Sequence, residues 1–251
     1  MAFFNIIIPT CGRPELERAV ESVKRQTFKN WRLIVVHDGE ANANCAVEDK
    51  YYHRIDCYIP EKRGAGGARN VGLRMVPKVS DEYTLFLDDD DEIANENVLE
   101  ELYTFIMDAG CPDLVRLGYL KHYTSSGAYK LKLIDEKEKD IRVATKSSKV
   151  GPPTKCIKNC FVTYFPEGVK HQDVVQHILQ CDNVSRCAVW DKPYFIYHIY
   201  DRPDKAKDSP ESQKAKREIP KLLREIFDLV SRKESKEAAL EWARRIEQMY
   251  S

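Results

Sequence analysis

The sequence lacks any apolar run that approaches the roughly 20 residues needed to span a bilayer. It also lacks an excess of charge of one sign, because 40 Lys and Arg residues balance 40 Asp and Glu residues. Because the charges balance, the net charge gives no reason to expect a nucleic acid or an anionic membrane as a partner. Residues 1–9 have neither the basic start nor the length of a secretory signal. We therefore predict a cytoplasmic globular protein that binds no nucleic acid.

Tightly spaced cysteine pairs are also missing, although the chain contains eight cysteines. Cys156, Cys160, Cys181 and Cys187 lack the Cys-x-x-Cys spacing that is typical of zinc sites. A disulfide framework is typical of short secreted chains, whereas 251 residues fit one large domain or one domain with a small appendage. We therefore expect the eight cysteines to be present as reduced thiols.

The first third of the chain alternates between strand and helix patterns. Residues 6–8 form a β-branched run closed by Pro9, and apolar residues at helical spacing follow over 16–23. Residues 31–36 and 55–59 predict two further strands, whereas 41–52 is polar and predicts a helix or a loop. Polar residues follow the strands, and in open parallel sheets ligands bind at that edge. The pattern therefore predicts an α/β fold with a ligand site at the carboxyl edge of its sheet.

Four consecutive aspartates follow the apolar residues 85–87 directly. Alternate residues of an extended segment point to the same side, so Asp88 and Asp90 can present two carboxylates together. Such hard oxygen ligands suit Mg²⁺ or Mn²⁺, and an ion held by one or two carboxylates can also bind a substrate diphosphate. The alternative is a solvated acidic turn that stabilises the start of the next helix.

A glycine-rich stretch, residues 63–72, precedes these aspartates. Its small residues would let backbone amides approach a ligand closely, and the flanking Arg63 and Arg69 could face phosphates or a base. The alternative is a flexible turn that opens the helix ending before Pro77.

The second half of the chain is less regular. Residues 98–106 predict a helix, the lysine-rich 124–148 predicts a variable region on the acceptor side, and further elements are predicted over 113–120, 174–181, 188–190 and 194–200. Beyond residue 209, two amphipathic helices are expected to pack on the body or on a second copy as a homodimer. Peripheral attachment at the inner face of the membrane is the alternative for this tail.

Three segments together resemble the family 2 glycosyltransferases: IIIPTCGRPELERAVESVKRQTFKNWRLIVVHDG, GAGGARNVG and LFLDDDDE. The resemblance covers roughly the first 110 residues. It implies a GT-A fold, a Rossmann-like arrangement with a mostly parallel sheet flanked by helices. The corresponding domain would span 1–208, with a nucleotide-sugar half at 1–118, an acceptor and catalytic half at 119–208, and a helical extension at 209–251.

The same resemblance implies roles for individual residues. Thr10 and Arg13 would lie beside the nucleotide, Asp38 would contact the base, and Arg69 would lie near the base or the diphosphate. Asp88 and Asp90 match the two acids of the family's Asp-x-Asp motif. Asp88 would contact the ribose, and Asp90 would bind the metal.

The segment ending at Gln172 and Asp173 resembles the family motif whose aspartate is the catalytic base, which makes Asp173 the candidate. The alternative is that Asp173 stabilises the following helix. His198 is a candidate metal or diphosphate ligand or a packed core residue, in a closing segment that extends through residues 202–209. Two departures from the family pattern are His37 and Gln172, which stand where relatives carry acids.

The resemblance implies an inverting transferase that uses Mn²⁺ or Mg²⁺ and a nucleotide-diphosphate sugar, with UDP the expected nucleotide. The acceptor would be a saccharide or a lipid-linked saccharide in the synthesis of capsule, lipopolysaccharide or exopolysaccharide. One alternative is a sugar nucleotidyltransferase, although the Gly-x-Gly-Thr-Arg opening is missing after the first strand. The other is a non-catalytic module that binds a nucleotide sugar or a partner.

Overall fold

The computed structural model describes residues 3–39, 46–49, 53–141, 151–167, 171–200 and 234–250, with seven further residues at 217, 218, 221, 222, 225, 226 and 232. The helices are α1 Leu16–Lys24, α2 Gly64–Met75, α3 Val98–Asp108, α4 Gln172–Gln180 and α5 Ser235–Tyr250. The strands are β1 Phe4–Thr10, β2 Trp31–Asp38, β3 Ala46–Asp49, β4 Arg54–Ile59, β5 Tyr83–Phe86, β6 Glu92–Ile93, β7 Leu114–Tyr123, β8 Ala128–Lys132, β9 Lys155–Lys158 and β10 Cys187–Ile199.

One sheet contains all of these strands in the order β3-β4-β2-β1-β5-β9-β7-β10-β6, with β8 paired to β7. Strands β4, β2, β1 and β5 are parallel neighbours, and β7 is parallel to β10. Strand β9 joins the two parallel groups by antiparallel pairing on both sides. The predicted α/β fold with a mostly parallel central sheet is confirmed.

Helices cover both faces of the sheet, because alternate residues of the central strands point to opposite sides. In β1, Ile7 belongs to a core with α2, α4 and α5, whereas Ile6 and Ile8 belong to a core with α1 and α3. A strand buried on both faces must be apolar at consecutive positions, which explains the run at 6–8. The central sheet therefore holds its carboxyl edge rigidly between two apolar layers.

Several sequence predictions are corrected by the structure. Region 41–52, predicted as helix or loop, contains strand β3. The glycine-rich stretch is itself helical. Its small residues let α2 pack closely on β1 and β2. The two strands predicted over 188–200 form one strand, β10, whose register against β7 shifts around Pro193. Strands β6, β8 and β9 were not predicted.

Helix α5 packs on the body of the molecule, in the same apolar core as α4. Its apolar face, predicted from the sequence, is buried and consists of Ala238, Ala239, Trp242 and Ile246. The predicted closing segment at 202–209 and much of the first tail helix lie outside the described residues. Where the structure describes the chain, no helix is both long and apolar enough to cross a membrane.

Gly72 provides a test of the contact between α2 and β1. A Cβ atom at this position would lie 2.7 Å from Cγ2 of Ile7, which is fully buried. We expect Gly72→Ala to lower the free energy of unfolding by about 1–3 kcal/mol, because the overpacked core must shift. Urea unfolding measures this loss. In the control variant Gly151→Ala the nearest atom is 3.9 Å away, and the change should stay within about 0.5 kcal/mol. Equal stability of Gly72→Ala and the wild type would show that the packing is looser.

Candidate active site

The carboxyl ends of β1, β2 and β5 meet at one edge of the sheet, because these strands are parallel neighbours. A cavity of about 260 Å³ opens there. Six of the residues predicted for nucleotide-sugar or metal binding line it: Thr10, Arg13, Asp38, Arg69, Asp88 and Asp90. The structure brings these six together, while their individual roles stay predictions. Lys62 also lines this donor-side cavity and was missed, although its place just before the glycine-rich stretch was a usable signal.

The last residue of β1 and the turn after it contact the second and third aspartates of the acidic run. The hydroxyl of Thr10 donates to Oδ2 of Asp89 over 2.8 Å. Nη1 of Arg13 donates to Asp90 at 2.6 Å and to Asp89 at 3.2 Å. Burial raises the pKa of Asp89, although the Thr10 hydrogen bond and the Arg13 charge act in the opposite direction. The turn after β1 therefore holds both carboxylates at the cavity.

The first and last aspartates of the run face different surroundings. Nη2 of Arg69, on α2, donates to Oδ1 of Asp88. Asp91 is fully buried and accepts a hydrogen bond from the backbone N–H of His198 over 3.1 Å. No described group donates to its other oxygen, Oδ2. Burial, followed by repulsion from Asp88 and Asp90, raises the pKa of Asp91 well above its usual range. The edge of the sheet thus concentrates carboxyl oxygens, the type of ligand that Mg²⁺ and Mn²⁺ prefer.

These carboxylates can be compared with the needs of a divalent cation. Within the described ranges, no three His, Cys, Asp or Glu side chains converge to form a complete protein cage for an ion. Mg²⁺ does not require such a cage, since it is usually held by one or two carboxylates together with substrate phosphates and water. Asp88 and Asp90 both line the donor-side cavity, so they fit an ion of that kind.

Asp38 fixes the start of α2 beside the same cavity. Its Oδ1 accepts from the backbone N–H of Arg63 at 2.7 Å, and its Oδ2 accepts from that of Gly64 at 2.8 Å. A carboxylate at a helix start satisfies backbone donors that lack partners within the helix. The predicted contact of Asp38 with a base is untested. Its observed role is to position the helix that carries Arg69.

A second cavity, of about 600 Å³, adjoins the first and shares Arg69 and Asp88 with it. Asp173, the predicted base, lines this larger cavity, as does Asp91. Aromatic side chains from two neighbouring strands contribute to the same wall: Tyr119, Phe195 and Tyr197. These aromatic residues were missed, because β7 and β10 are far apart in the sequence and are adjacent only in the folded sheet.

Asp173 lies in the first turn of α4, which begins at Gln172. The Gln172 amide satisfies both neighbours when its nitrogen is assigned to the side of Pro166: it then donates to the Pro166 carbonyl at 3.2 Å and accepts from the Gly66 N–H at 3.1 Å. An ionised glutamate could not donate to Pro166. A side chain on Gly66 would overlap Gln172, so the glycine permits this contact. Gln172 therefore ties α2 to the segment before α4. The position of Asp173 suits both a base at the cavity and an acid that stabilises the helix start.

The two polar departures from the family pattern have structural roles. Gln172 makes the bridge described above. Nε2 of His37 lies 2.9 Å from Asp56, and the His37 ring stacks on Tyr58 with ring centroids 4.2 Å apart. Both partners belong to β4, the strand next to β2. His37 therefore supports the pairing of β2 with β4 rather than a ligand contact.

His198 occupies a crowded position on β10. Its Nε2 lies 3.0 Å from Oε1 of Glu92, and its Nδ1 lies 2.9 Å from Nδ1 of His122. Burial, followed by the charge of Arg18, lowers the pKa of His198. Both ring nitrogens thus have partners in this arrangement. Metal or diphosphate binding by His198 stays a prediction.

A buried cation behind α4 was not predicted from the sequence. Lys155 is fully buried, and its Nζ donates to Oε1 of Gln176 over 2.9 Å. Burial, followed by the charge of Arg116, lowers the pKa of Lys155 to about 7, and the charge of Asp173 acts in the opposite direction. The pKa of His177 is lowered well below its usual range by burial and then by Lys155. The helix that carries the candidate base therefore packs against two buried basic side chains, Lys155 and His177, whose pKa values are lowered.

Lys155→Met tests this depressed pKa. Because the amine holds a proton less tightly when folded than when unfolded, wild-type stability must rise with pH from about 7 to the unfolded pKa. We expect the stability of wild type relative to Lys155→Met to rise by up to about 1.4 kcal/mol per pH unit in this window and to be flat below it. Chemical unfolding from pH 6 to pH 9 measures the difference. A difference between wild type and Lys155→Met that stays flat over this pH range would disprove the shift.

Comparisons with known proteins identify the family to which the chain is similar. The sequence model of the family described as Glycosyl transferase family 2 matches residues 5–162. The chain is 34% identical over 99 residues to a GalNAc(5)-diNAcBac-PP-undecaprenol beta-1,3-glucosyltransferase of Campylobacter jejuni, which covers 37% of the chain and 31% of that protein. It is also 34% identical over 108 residues to the poly(ribitol-phosphate) beta-N-acetylglucosaminyltransferase TarP of Staphylococcus aureus, with 40% of the chain and 32% of TarP covered. The matched stretch thus spans about a third of these relatives.

Solved structures share the fold. A crystal structure of residues 1–349 of S. aureus TarS in complex with UDP-GlcNAc superimposes with a TM-score of 0.63 at 20% sequence identity. The superposition covers 87% of this chain and 65% of the TarS chain. At this identity the likeness establishes the GT-A fold alone.

Proposed function

The chain belongs to glycosyltransferase family 2, and from this premise we propose that it transfers a sugar from a UDP-linked donor to a hydroxyl group of a saccharide acceptor. One observation carries the proposal. The cavity with the six predicted donor residues adjoins a larger cavity that contains Asp173, and the two share Arg69 and Asp88. A donor in the first cavity and an acceptor in the second would meet at these two residues.

The donor side has the charges that a nucleoside diphosphate requires. Arg13, Lys62 and Arg69 bring three cationic side chains to the smaller cavity. Arginine suits diphosphate oxygens because its planar fork donates two parallel hydrogen bonds. Arg13 and Arg69 are already oriented by carboxylates of the acidic run, so little side-chain entropy is lost when a diphosphate binds.

We propose that Asp90, with Asp88 beside it, holds Mn²⁺ or Mg²⁺. When bound, such an ion supplies Lewis-acid stabilisation of the charge that develops on the departing diphosphate. The buried Oδ2 of Asp91 has no donor among the described residues, so a further carboxyl oxygen without a hydrogen bond lies next to these two aspartates in the run. Arg13 donates to Asp90 and Arg69 donates to Asp88, so each of the two carboxylates is oriented by its own arginine.

Asp173 is proposed as the general base. A sugar hydroxyl is a weak nucleophile until its proton is removed, and a positioned carboxylate can accept that proton. Asp173 lines the acceptor-side cavity from the first turn of α4, so its carboxyl group can reach a hydroxyl bound there. Direct attack from this side would displace the nucleoside diphosphate in one step and invert the anomeric carbon. The proton ends on Asp173, and the bonding electrons leave with the diphosphate.

The relatives support an acceptor in surface-polysaccharide assembly. The names of two of them specify an undecaprenol-linked saccharide and poly(ribitol-phosphate) as their substrates. We propose that this chain acts in the synthesis of a comparable bacterial polymer. If the protein acts on a lipid-linked acceptor, it would do so at the inner face of the membrane.

Nucleotide binding tests the donor part of the proposal. Calorimetric titration with UDP, GDP, ADP and CMP in the presence of Mn²⁺ should show a preference for UDP. Arg69→Gln should weaken UDP binding by about tenfold or more, because a charge-assisted contact contributes about 1.5–3 kcal/mol. Arg74→Gln, on the exposed side of the same helix, is the matched control and should bind like the wild type. Absence of binding by every nucleotide would refute the proposal.

A further inference from the structure

Three lysines share one face of the sheet with the aromatic wall of the larger cavity. In the pairing of β7 with β10, Tyr119 is aligned with Phe195 and Lys121 with Tyr197. In the pairing of β7 with β8, Lys121 lies opposite Lys130 and Tyr119 opposite Lys132. Partners across a sheet point to the same side, so these side chains form one continuous surface. We call Lys121, Lys130 and Lys132 the lysine face.

The three ammonium groups of the lysine face have no direct counter-charge among the described residues, although Asp88, Asp91 and Asp173 line the same cavity as Lys121. Lys121 is half-buried and lines the cavity, where the nearby Asp88 is paired with Arg69. None of the three ammonium groups forms a hydrogen bond or an ion pair with any residue that the structure describes. Like charges placed directly opposite each other on neighbouring strands destabilise a sheet. The arrangement of Lys121 opposite Lys130 therefore has a cost that a bound anion would remove.

Tyr197, which is 38% exposed, is the part of the neighbouring aromatic wall that a sugar ring can contact, because Tyr119 and Phe195 are almost fully buried. Tyr119 and Phe195 stack with ring centroids 5.2 Å apart, and Tyr197 meets Tyr119 edge to face at 6.2 Å. Aromatic faces provide apolar contact, and a few polar groups then fix the orientation of a ligand in such a pocket. Lys121 extends from the same strand face, two residues beyond Tyr119.

We propose that the lysine face binds a phosphate group of the acceptor, so that the substrate class is a phosphate-bearing saccharide. The inference rests on the proposed function, since it assigns the larger cavity to the acceptor. The sugar ring would lie against the aromatic wall near Asp173. The phosphate would contact Lys121 on β7 and its two neighbours on β8, Lys130 and Lys132. Phosphate is favoured over a carboxylate because three adjacent ammonium groups match a group with several charged oxygens.

An anionic lipid surface is the competing source of phosphate. The half-buried position of Lys121 within a cavity favours a ligand that enters the cavity over a flat surface. The exposed side chains of β8, Tyr129 and Leu131, alternate with Lys130 and Lys132 and therefore point to the opposite side. A membrane could not contact these apolar residues and the lysine face at once.

Binding of glucose 6-phosphate and glucose to the full chain, measured by calorimetry and ligand-observed NMR, tests the proposal. We expect glucose 6-phosphate to bind about tenfold tighter than glucose at low salt, and the difference to shrink as NaCl is added. Lys121→Gln and the double variant Lys130→Gln with Lys132→Gln should each remove much of this difference. Lys137→Gln, at an exposed lysine outside the face, is the control and should leave it intact.

Several results would overturn the proposal. They are equal binding of the two sugars, insensitivity to salt, or glucose 6-phosphate binding that no lysine variant weakens. Sedimentation with phosphatidylglycerol vesicles is the second arm. If the variants lose vesicle binding but keep sugar phosphate binding, the face belongs to a membrane and the proposal is wrong. UDP titration of the same samples separates this test from the proposed function, because the sugar probes require no donor.

Discussion

Asp173→Asn is expected to reduce the release of UDP from the preferred donor by about 10²- to 10⁴-fold, the contribution typical of a positioned general base. The amide has nearly the same shape but cannot accept the proton of the attacking hydroxyl. Donor binding should be unchanged, because Asp173 lines the larger cavity and not the smaller one. Coupled detection of free UDP, with water and with a panel of saccharide acceptors, measures the rate.

The control for this variant is Asp182→Asn, at an exposed aspartate just beyond the end of α4. It should retain wild-type rates. If Asp173 only stabilises the start of the helix, Asp173→Asn would lose about 0.3–1 kcal/mol of stability and keep its activity. Donor binding with no turnover in the wild type would instead favour a non-catalytic nucleotide-sugar module.

Asp90→Asn is expected to abolish the dependence of donor binding on Mn²⁺ and to slow UDP release by more than about 10²-fold. Lewis-acid stabilisation of a leaving diphosphate is worth several kcal/mol, and each 1.36 kcal/mol corresponds to about tenfold in rate. Titration of UDP-GlcNAc with and without Mn²⁺ measures the first effect, and coupled UDP detection measures the second.

A purely structural role for Asp90 predicts a much smaller change. Its ion pair with Arg13 involves an arginine whose side chain is 35% exposed, and such pairs contribute at most about 1 kcal/mol to stability. Asp108→Asn, at the exposed end of α3, controls for the loss of one surface charge. Unaltered metal dependence in Asp90→Asn would show that the acidic run does not bind the ion.

The donor side of the site was predictable because its signals are local. Thr10, Asp38 and Asp88 directly follow or end apolar strand runs, and parallel strands bring such positions to one edge. The contacts within that edge were not predictable. Both oxygens of Asp38 are used by the start of α2, and both ring nitrogens of His198 have partners. These pairings depend on residues far apart in the sequence.

The acceptor side was harder to predict for a different reason. Strand β6 has two residues and β9 has four, which is too short for a clear period-2 pattern. Strand β8 did carry a signal, since apolar residues alternate with Lys130 and Lys132. The aromatic wall and the lysine face arise only from the register of β7 with its two neighbours. Long-range register cannot be read from one sequence.

The central claim is that the acidic edge and its two cavities form a metal-dependent nucleotide-sugar site. The most direct test is to titrate UDP-glucose, UDP-GlcNAc and GDP-mannose with and without Mn²⁺ and to measure the nucleoside diphosphate released, in wild type and in Asp90→Asn. We predict that a UDP-sugar binds only with the metal, is slowly hydrolysed, and loses both properties in the variant. Absence of binding by every nucleotide sugar, or binding indifferent to both the metal and Asp90, would contradict the account.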